Sequence, residues 1–378
     1  MFRKIKKARM DHGKPAWKQV LEAMSLRLAK LPVGIGEYFE YGIYRQEVSP
    51  AKVREFIGWR ESLALDKSLN ADYSRVLAND KLLNYLVLHA AGLPIPEPIA
   101  SFSTSGRRIA HELVLNTIDD VRRFLNGDHY PFYVKPISSG YGKGVLGVRS
   151  KEGNNLRLLD DSFVSIDDFL KPFSFAPFCG MLFQKPLIAH PTISALTGSP
   201  AVCCVRFICF ITPKGPVIHT AFWKVTAGKN MLDNFTHGEF GNCLASIDID
   251  SGVVVRAIEK LGPGGKVDCH PTTGKPLIGF ALPDWGRAVA LVCSASKHFP
   301  GLHLQNWDVA LCPEGPVLLE LNTESELAIP QAISGHGLKD ERLRTIQAEI
   351  ASGEEIQRQQ LASGPKNVLV TIAVSQHG

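Results

Sequence analysis

No stretch of the 378-residue chain is apolar for long enough to cross a bilayer, and no apolar core follows its basic start, Met1 to Arg9, as a secretion signal would require. The expectation is a cytoplasmic protein without a transmembrane segment. Cysteine occurs eight times but never at C-x-x-C spacing, and most copies lie in apolar runs such as residues 202–209. That pattern argues against zinc fingers and disulfide frameworks, and it fits buried thiols in a reducing compartment. Excess charge is scarce too. The net charge is +5, much of it within the first 30 residues. Basic residues are not interleaved with aromatics along a face, so no nucleic-acid partner is expected. The basic N-terminus reads first as a solvated helical face, and second as a weak peripheral contact with an anionic membrane. Nothing in the sequence bears on oligomeric state.

What is present is ordinary globular material: 45% apolar and 21% charged residues, with room for one large domain or two to three smaller ones. Residues 1–75 carry helical spacing, as in Trp17, Val20, Leu21, Met24 and Leu28. Residues 79–91 predict a helix capped by Asn79 or Asp80 and stopped by Gly92 and the prolines 94, 96 and 98. A helix over 114–126 and a strand over 131–136 follow. Ser138-Ser139-Gly140-Tyr141-Gly142-Lys143-Gly144 then leads to a strand over 145–149. Glycines free backbone N–H groups to meet phosphate oxygens, although the spacing is not that of a Walker A loop, and many hairpin tips are equally glycine-rich. Further hairpins are predicted over 202–225 and 246–255, helices over 283–298 and 337–361, and residues 368–374 read as a closing strand or an added tail.

Two hairpins carry the chemistry. In residues 306–322 the apolar pattern is broken by Asp308, Glu320 and Asn322. Glu320 and Asn322 share a strand face. A three-residue loop, Pro313-Glu314-Gly315, would set Asp308 directly opposite Glu320, whereas a two-residue loop would set it opposite Leu321. Adjacent carboxylates repel, so such a patch calls for a cation, and oxygen-only ligands suit magnesium; a solvent-facing sheet edge is the alternative. The same turn chemistry at Pro213-Lys214-Gly215 sets Arg206 opposite Phe222 and diagonal to Lys224. Two cations on one face call for an anion such as phosphate, unless both reach solvent.

In this order the segments resemble the ATP-grasp superfamily, specifically its sugar-transfer-associated group, from about Asn79 to Ser334. The features are Asn79-Asp80-Lys81 opening a helix; Val134-Lys135-Pro136 before the glycine-rich loop; a hinge near Gln184; and Arg206 in a strand. Asp233-Asn234, His270-Pro271-Thr272-Thr273-Gly274, Trp307-Asp308 and Glu320-Leu321-Asn322 complete the set. The resemblance implies an α+β fold in which two subdomains grip ATP. It divides the chain into a helical N-terminal extension (1–75), an ATP-grasp domain (76–345, with a lid over about 97–182 and a core over about 183–345) and a C-terminal helix and tail (346–378). It also implies roles. Lys81 and Lys135 contact ATP phosphates under a lid loop that includes Ser138, Ser139, Gly140, Tyr141 and Gly142. Gln184, Lys185 and Leu187 form the adenine-reading hinge, although Lys185 stands where relatives often carry an acidic residue. Asp308, Glu320 and Asn322 bind magnesium, with manganese as an alternative. Arg206 and Lys224 act on the transferred phosphate, while Asn234 and His237 lie near the substrate. The implied activity is an ADP-forming ligase joining a carboxylate to an amine or thiol through an acyl-phosphate, associated with cell-surface sugar or peptide-like metabolite biosynthesis. A phosphotransferase acting on a hydroxyl and a non-catalytic nucleotide-binding protein are the rivals.

Overall fold

The computed structural model describes residues 1–28, 33–107, 112–138, 144–175, 180–323 and 327–363. The strands in chain order are β1 (Pro98–Phe102), β2 (Leu113–Leu115), β3 (Phe132–Pro136), β4 (Leu146–Glu152), β5 (Asn155–Leu158), β6 (Phe163–Ser165), β7 (Met181–Gln184), β8 (Cys204–Thr212), β9 (Gly215–Val225), β10 (Cys243–Ile247), β11 (Val254–Ile258), β12 (Lys266–Val267), β13 (Leu304–Cys312) and β14 (Gly315–Asn322). They form two sheets, ordered β2-β1-β7-β3-β4-β5-β6 and β12-β11-β10-β9-β8-β13-β14. The architecture is mixed α+β with helices at the N-terminus.

The first sheet buries one face under the helices Ile118–Leu125 and Ile166–Phe175, whose Val121, Phe124, Phe169 and Phe173 pack on Phe132, Val134 and Phe183. The helix expected over 114–126 starts later than its periodicity suggests. Residues 113–115 extend instead and pair with β1, and the Thr117 hydroxyl then accepts the Asp120 N–H to open the helix. The closing strand or tail over 368–374 lies outside the described residues.

In the second sheet each side chain's face follows from strand alternation. Phe207, Trp223, Trp307 and Val309 pack beneath the helix Trp285–Ser296. On the other face Ile208, Phe210 and Leu304 meet the helix Glu341–Ser363. Farther along that face Phe222, Leu244 and Ile258 meet Ile333 of the helix Ala328–Ser334. Burial of this apolar surface is the main stabilising term.

The N-terminal helices cover the edge near β11 and β12 around a cluster containing Tyr38, Phe39 and Tyr44. Within the basic start, Lys4 pairs with Glu40 at 3.1 Å and Lys7 with Asp11 at 3.0 Å, while Phe2 and Trp17 face solvent. Among the described residues no helix is long and apolar enough to cross a membrane.

The two hairpins correct the loop expected from sequence while keeping its register. Cys312 pairs with Gly315, so the turn is Pro313-Glu314 alone. A bulge at Leu319 then supplies the extra residue, and Asp308 meets Glu320. The first hairpin repeats the device. Thr212 pairs with Gly215, a bulge falls at His219, and Arg206 meets Phe222. Pro316 and Pro216 can sit here because each lies at the start of its strand.

Candidate functional site

Lys81 opens the helix Lys81–Ala90, where Asp80 Oδ1 accepts the N–H groups of Leu82 and Leu83 at 3.1 and 3.0 Å. This cap points the first helical turn at the seam between the sheets, and the Lys81 N–H donates to the Ile137 carbonyl just beyond β3. Lys81 Nζ reaches Glu320 Oε1 on β14 at 3.1 Å. One helical turn on, Tyr85 is buried, with its hydroxyl 3.0 Å from the Leu319 carbonyl and 3.3 Å from Gln184 Oε1. Lys135 of β3, only 8% exposed, donates to that hydroxyl at 3.0 Å. Among the described residues Lys135 makes no ion pair. Burial pushes its ammonium down to about 8, and the neighbouring Glu320 charge opposes this only in part. Burial lowers Lys81 as well, against the pull of Glu320.

Across the second sheet β14, β13, β8 and β9 stand side by side, so Glu320, Asp308, Arg206 and Phe222 form one row on one face. Arg206 grips Asp308 with both prongs, Nε to Oδ1 at 2.7 Å and Nη2 to Oδ2 at 2.5 Å. Lys224 Nζ adds a third donor to Oδ2 at 3.2 Å and lies 3.4 Å from Asp233 Oδ1. Asp233 is itself fixed by the Cys204 N–H at 2.7 Å. Burial works against the charge of Asp308, yet Arg206 and Lys224 prevail and hold its carboxyl well below the usual carboxylate range. For Lys224 burial is likewise outweighed, by Asp233 and Asp308, and its ammonium is held above the ordinary range. The carboxylates find their cations, and the cations their anion, within the chain itself. Repulsion alone demands neither a metal nor a phosphate.

The remaining expected residues are placed as follows. Asn322 follows Glu320 on the same face, and its buried Nδ2 has no hydrogen-bond partner. Gln184 is buried at the end of β7, Lys185 is exposed and pairs with Glu97 at 2.7 Å, and Leu187 is half-buried beyond it. Asn234 lines a cavity of about 290 Å³ between the sheets, with Tyr133, Leu146, Leu158, Lys229 and Phe240. Its carbonyl accepts from Asn242 Nδ2 at 2.8 Å. His237 falls in the single turn Thr236–Gly238, and Ser138 is exposed after β3. Ser139, Gly140, Tyr141 and Gly142 lie outside the described residues. No group of three His, Cys, Asp or Glu side chains among the described residues is arranged for a metal ion, so the expected set is two carboxylates and an amide.

The family model for sugar-transfer associated ATP-grasp proteins matches residues 60–348. The chain belongs to that family. No curated protein sequence matches it. Among solved structures it is similar to N5-carboxyaminoimidazole synthase from Aspergillus clavatus, solved with ADP, at 12% identity and a TM-score of 0.37. It is also similar to the D-Ala:D-Ser ligase VanG from Enterococcus faecalis, at 12% and 0.42, and to a D-alanine–D-alanine ligase from Bacillus anthracis, at 13% and 0.40. These matches cover 71%, 75% and 76% of this chain, and 51%, 63% and 72% of those chains respectively. The chain thus spans about half the length of the first and less than two thirds of the second.

Three residues of this ATP-grasp chain were missed as site members. Tyr85 stands four residues after Lys81, on the same helical face, and that spacing was the available signal. Asn84 is 1% exposed, and among the described residues neither of its amide atoms has a partner. Its spacing of three from Lys81 carried the same signal. Asp233 lay within the motif quoted for the resemblance but had been given no role.

Proposed function

We propose that the chain is an ATP-dependent, ADP-forming ligase that joins a carboxylate to an amine or thiol. The observation carrying this is Lys135: a buried ammonium that makes no ion pair among the described residues, next to the Lys81–Glu320 pair at the seam between the sheets. A buried cation in that state is costly until an anion reaches it, and a polyphosphate is such an anion. Lys81 and Lys135 hold the β- and γ-phosphates, and the backbone at Gln184, Lys185 and Leu187 meets adenine.

Glu320 and Asn322 fit a hard cation arriving with ATP. Glu320 meets Lys81 through Oε1, and Asn322, two residues on along the same face, would offer its amide oxygen, whereas its unpartnered Nδ2 is a donor and speaks for no cation. Asp308 joins them by sharing the oxygens that Arg206 now occupies. Magnesium, or manganese, held there would supply charge neutralisation to the transferred phosphoryl group. Arg206 and Lys224 stabilise negative charge on the transferred group.

In the reaction a carboxylate oxygen attacks the γ-phosphorus and the bond to ADP breaks, leaving an acyl-phosphate. The amine nitrogen or thiol sulfur then attacks the carbonyl carbon, the bond to phosphate breaks, and the nucleophile's proton passes to solvent. Positioning and charge neutralisation carry most of such chemistry. The cavity lined by Asn234 receives the acceptor. The test measures ADP release over a panel of carboxylates against amines, including amino acids, uronic acids and amino sugars. ADP release that requires both partners supports the reading. AMP with pyrophosphate overturns it, and a phosphorylated product formed without a second nucleophile assigns a phosphotransferase instead.

A further inference from the structure

A second cavity, about 300 Å³, opens where the N-terminal helices meet β11 and β12. Its basic residues are Arg45, Arg256 and Lys266; Tyr44, Asp11 and Glu40 complete the parts of its wall that matter here. Arg45 is 8% exposed. Its Nε donates to the Gly42 carbonyl at 2.9 Å and its Nη2 to the Gly335 carbonyl, while Nη1 stands 3.8 Å from the exposed Glu47. Arg256, half-buried on β11, makes no ion pair among the described residues, and its buried Nε has no hydrogen-bond partner. Burial and then the charge of Arg45 both press the Arg256 guanidinium down. Of the acids in the wall, Asp11 is engaged with Lys7 and Glu40 with Lys4, while Glu47 stands beside Arg45 and adds a weaker pull on Arg256. Two guanidinium groups thus face one cavity, and among the described residues Arg256 forms no ion pair.

Such an arrangement is costly unless an oxyanion completes it, and the planar guanidinium fork suits carboxylate or phosphate. We propose that this cavity binds a small hydroxylated organic anion, its phosphate or carboxylate held by Arg256 and Arg45. Its hydroxyl-bearing body lies against Tyr44, Asp11 and Glu40, whose oxygens accept hydrogen bonds. The cavity is separate from the charged row of the second sheet. Arg256 pairs with Ser246, Ser246 with Phe222, and Phe222 with Arg206. Three strand steps place it about 14 Å from Arg206 on the same face. Phe222 and Ile333, both buried, fill the space between.

The test is calorimetric titration of the full chain, with saturating MgADP filling the nucleotide site, using glucose 6-phosphate, glucuronate and neutral glucose as probes. At least one of the two anions should bind and glucose should not; which anion binds tells phosphate from carboxylate. Arg256→Gln should weaken binding about tenfold or more, the loss expected of a charge-assisted hydrogen bond. Lys266→Gln, at an exposed position, should weaken it about twofold to threefold. Circular dichroism confirms that each variant is folded, and if Arg256→Gln does not fold, Lys266→Gln alone decides. Absence of binding by both anions, equal binding of glucose, or affinity unchanged by the deciding variant overturns the proposal.

Discussion

Raising the pH from 7 to 9 should weaken nucleotide binding through Lys135. Its ammonium is held down to about 8 by burial, against roughly 10.4 for a lysine in an unfolded chain. A bound polyphosphate keeps the lysine charged, so the free protein must take up a proton wherever Lys135 is neutral. About nine-tenths of the side chains are charged at pH 7 and about one-tenth at pH 9, so the affinity for MgADP should fall about tenfold. Proton uptake should reach roughly half a proton per nucleotide at pH 8. Titration calorimetry in buffers of different ionisation enthalpy counts those protons directly, and Lys135→Met should bind weakly and lose the pH slope. The same shift works on folding with a fixed sign. Between about pH 8 and 10.4 the unfolded chain binds more protons than the folded one, so the lysine's contribution to stability rises with pH, by up to about 3 kcal/mol. A flat affinity profile from pH 7 to 9 with no proton uptake would refute the placement of this ammonium against the phosphates.

Three further outcomes follow from the site. Asp308→Asn leaves Arg206 and Lys224 beside a neutral group at a buried position, which should cost about 3–5 kcal/mol in urea unfolding. Because Asp308 is held below the ordinary carboxylate range, its contribution persists through neutral pH and is lost only as pH falls below about 4, through its depressed folded pKa. Glu320→Gln, whose parent side chain is 27% exposed, should cut ADP formation about 100-fold or more while circular dichroism stays that of the folded chain, with melting lowered by the loss of Lys81's partner; retained turnover counts against its metal role. Tyr85→Phe removes the hydroxyl shared by Lys135 and the Leu319 carbonyl, so stability should drop by about 1–3 kcal/mol and nucleotide affinity severalfold, read by melting and titration; unchanged affinity separates Tyr85 from the site.

Local rules carried the sequence a long way and stopped where pairing became long-range. The cap at Asp80 follows from residues a few positions apart and was legible; the pairing of Asp308 with Glu320 was reached through a loop the structure replaces by a shorter turn and a bulge. That β8 lies against β13 was not. The pairing joins residues 102 positions apart, and it sets Arg206 on Asp308. Without it the acids invited a metal and the bases a phosphate. The later start of the helix at Ile118 had a similar cause, since β1 draws residues 113–115 into a sheet. The meeting of Arg45 with Arg256 was equally hidden, because it depends on how the N-terminal helices dock.

The bulge at Leu319 has a consequence for how this hairpin tolerates change. Turn and bulge each hold part of the offset between the strands, so one residue removed at Pro313-Glu314 can be absorbed by straightening the strand at Leu319, with Asp308 still meeting Glu320. The outer half of the hairpin is slack, and its length is free to drift. What holds the slack in its present place is the Leu319 carbonyl, which accepts from Tyr85. A phenol on a helix thus acts as the pin of a sheet, and unpinning it would let the irregularity migrate toward the turn while the charged row keeps its partners.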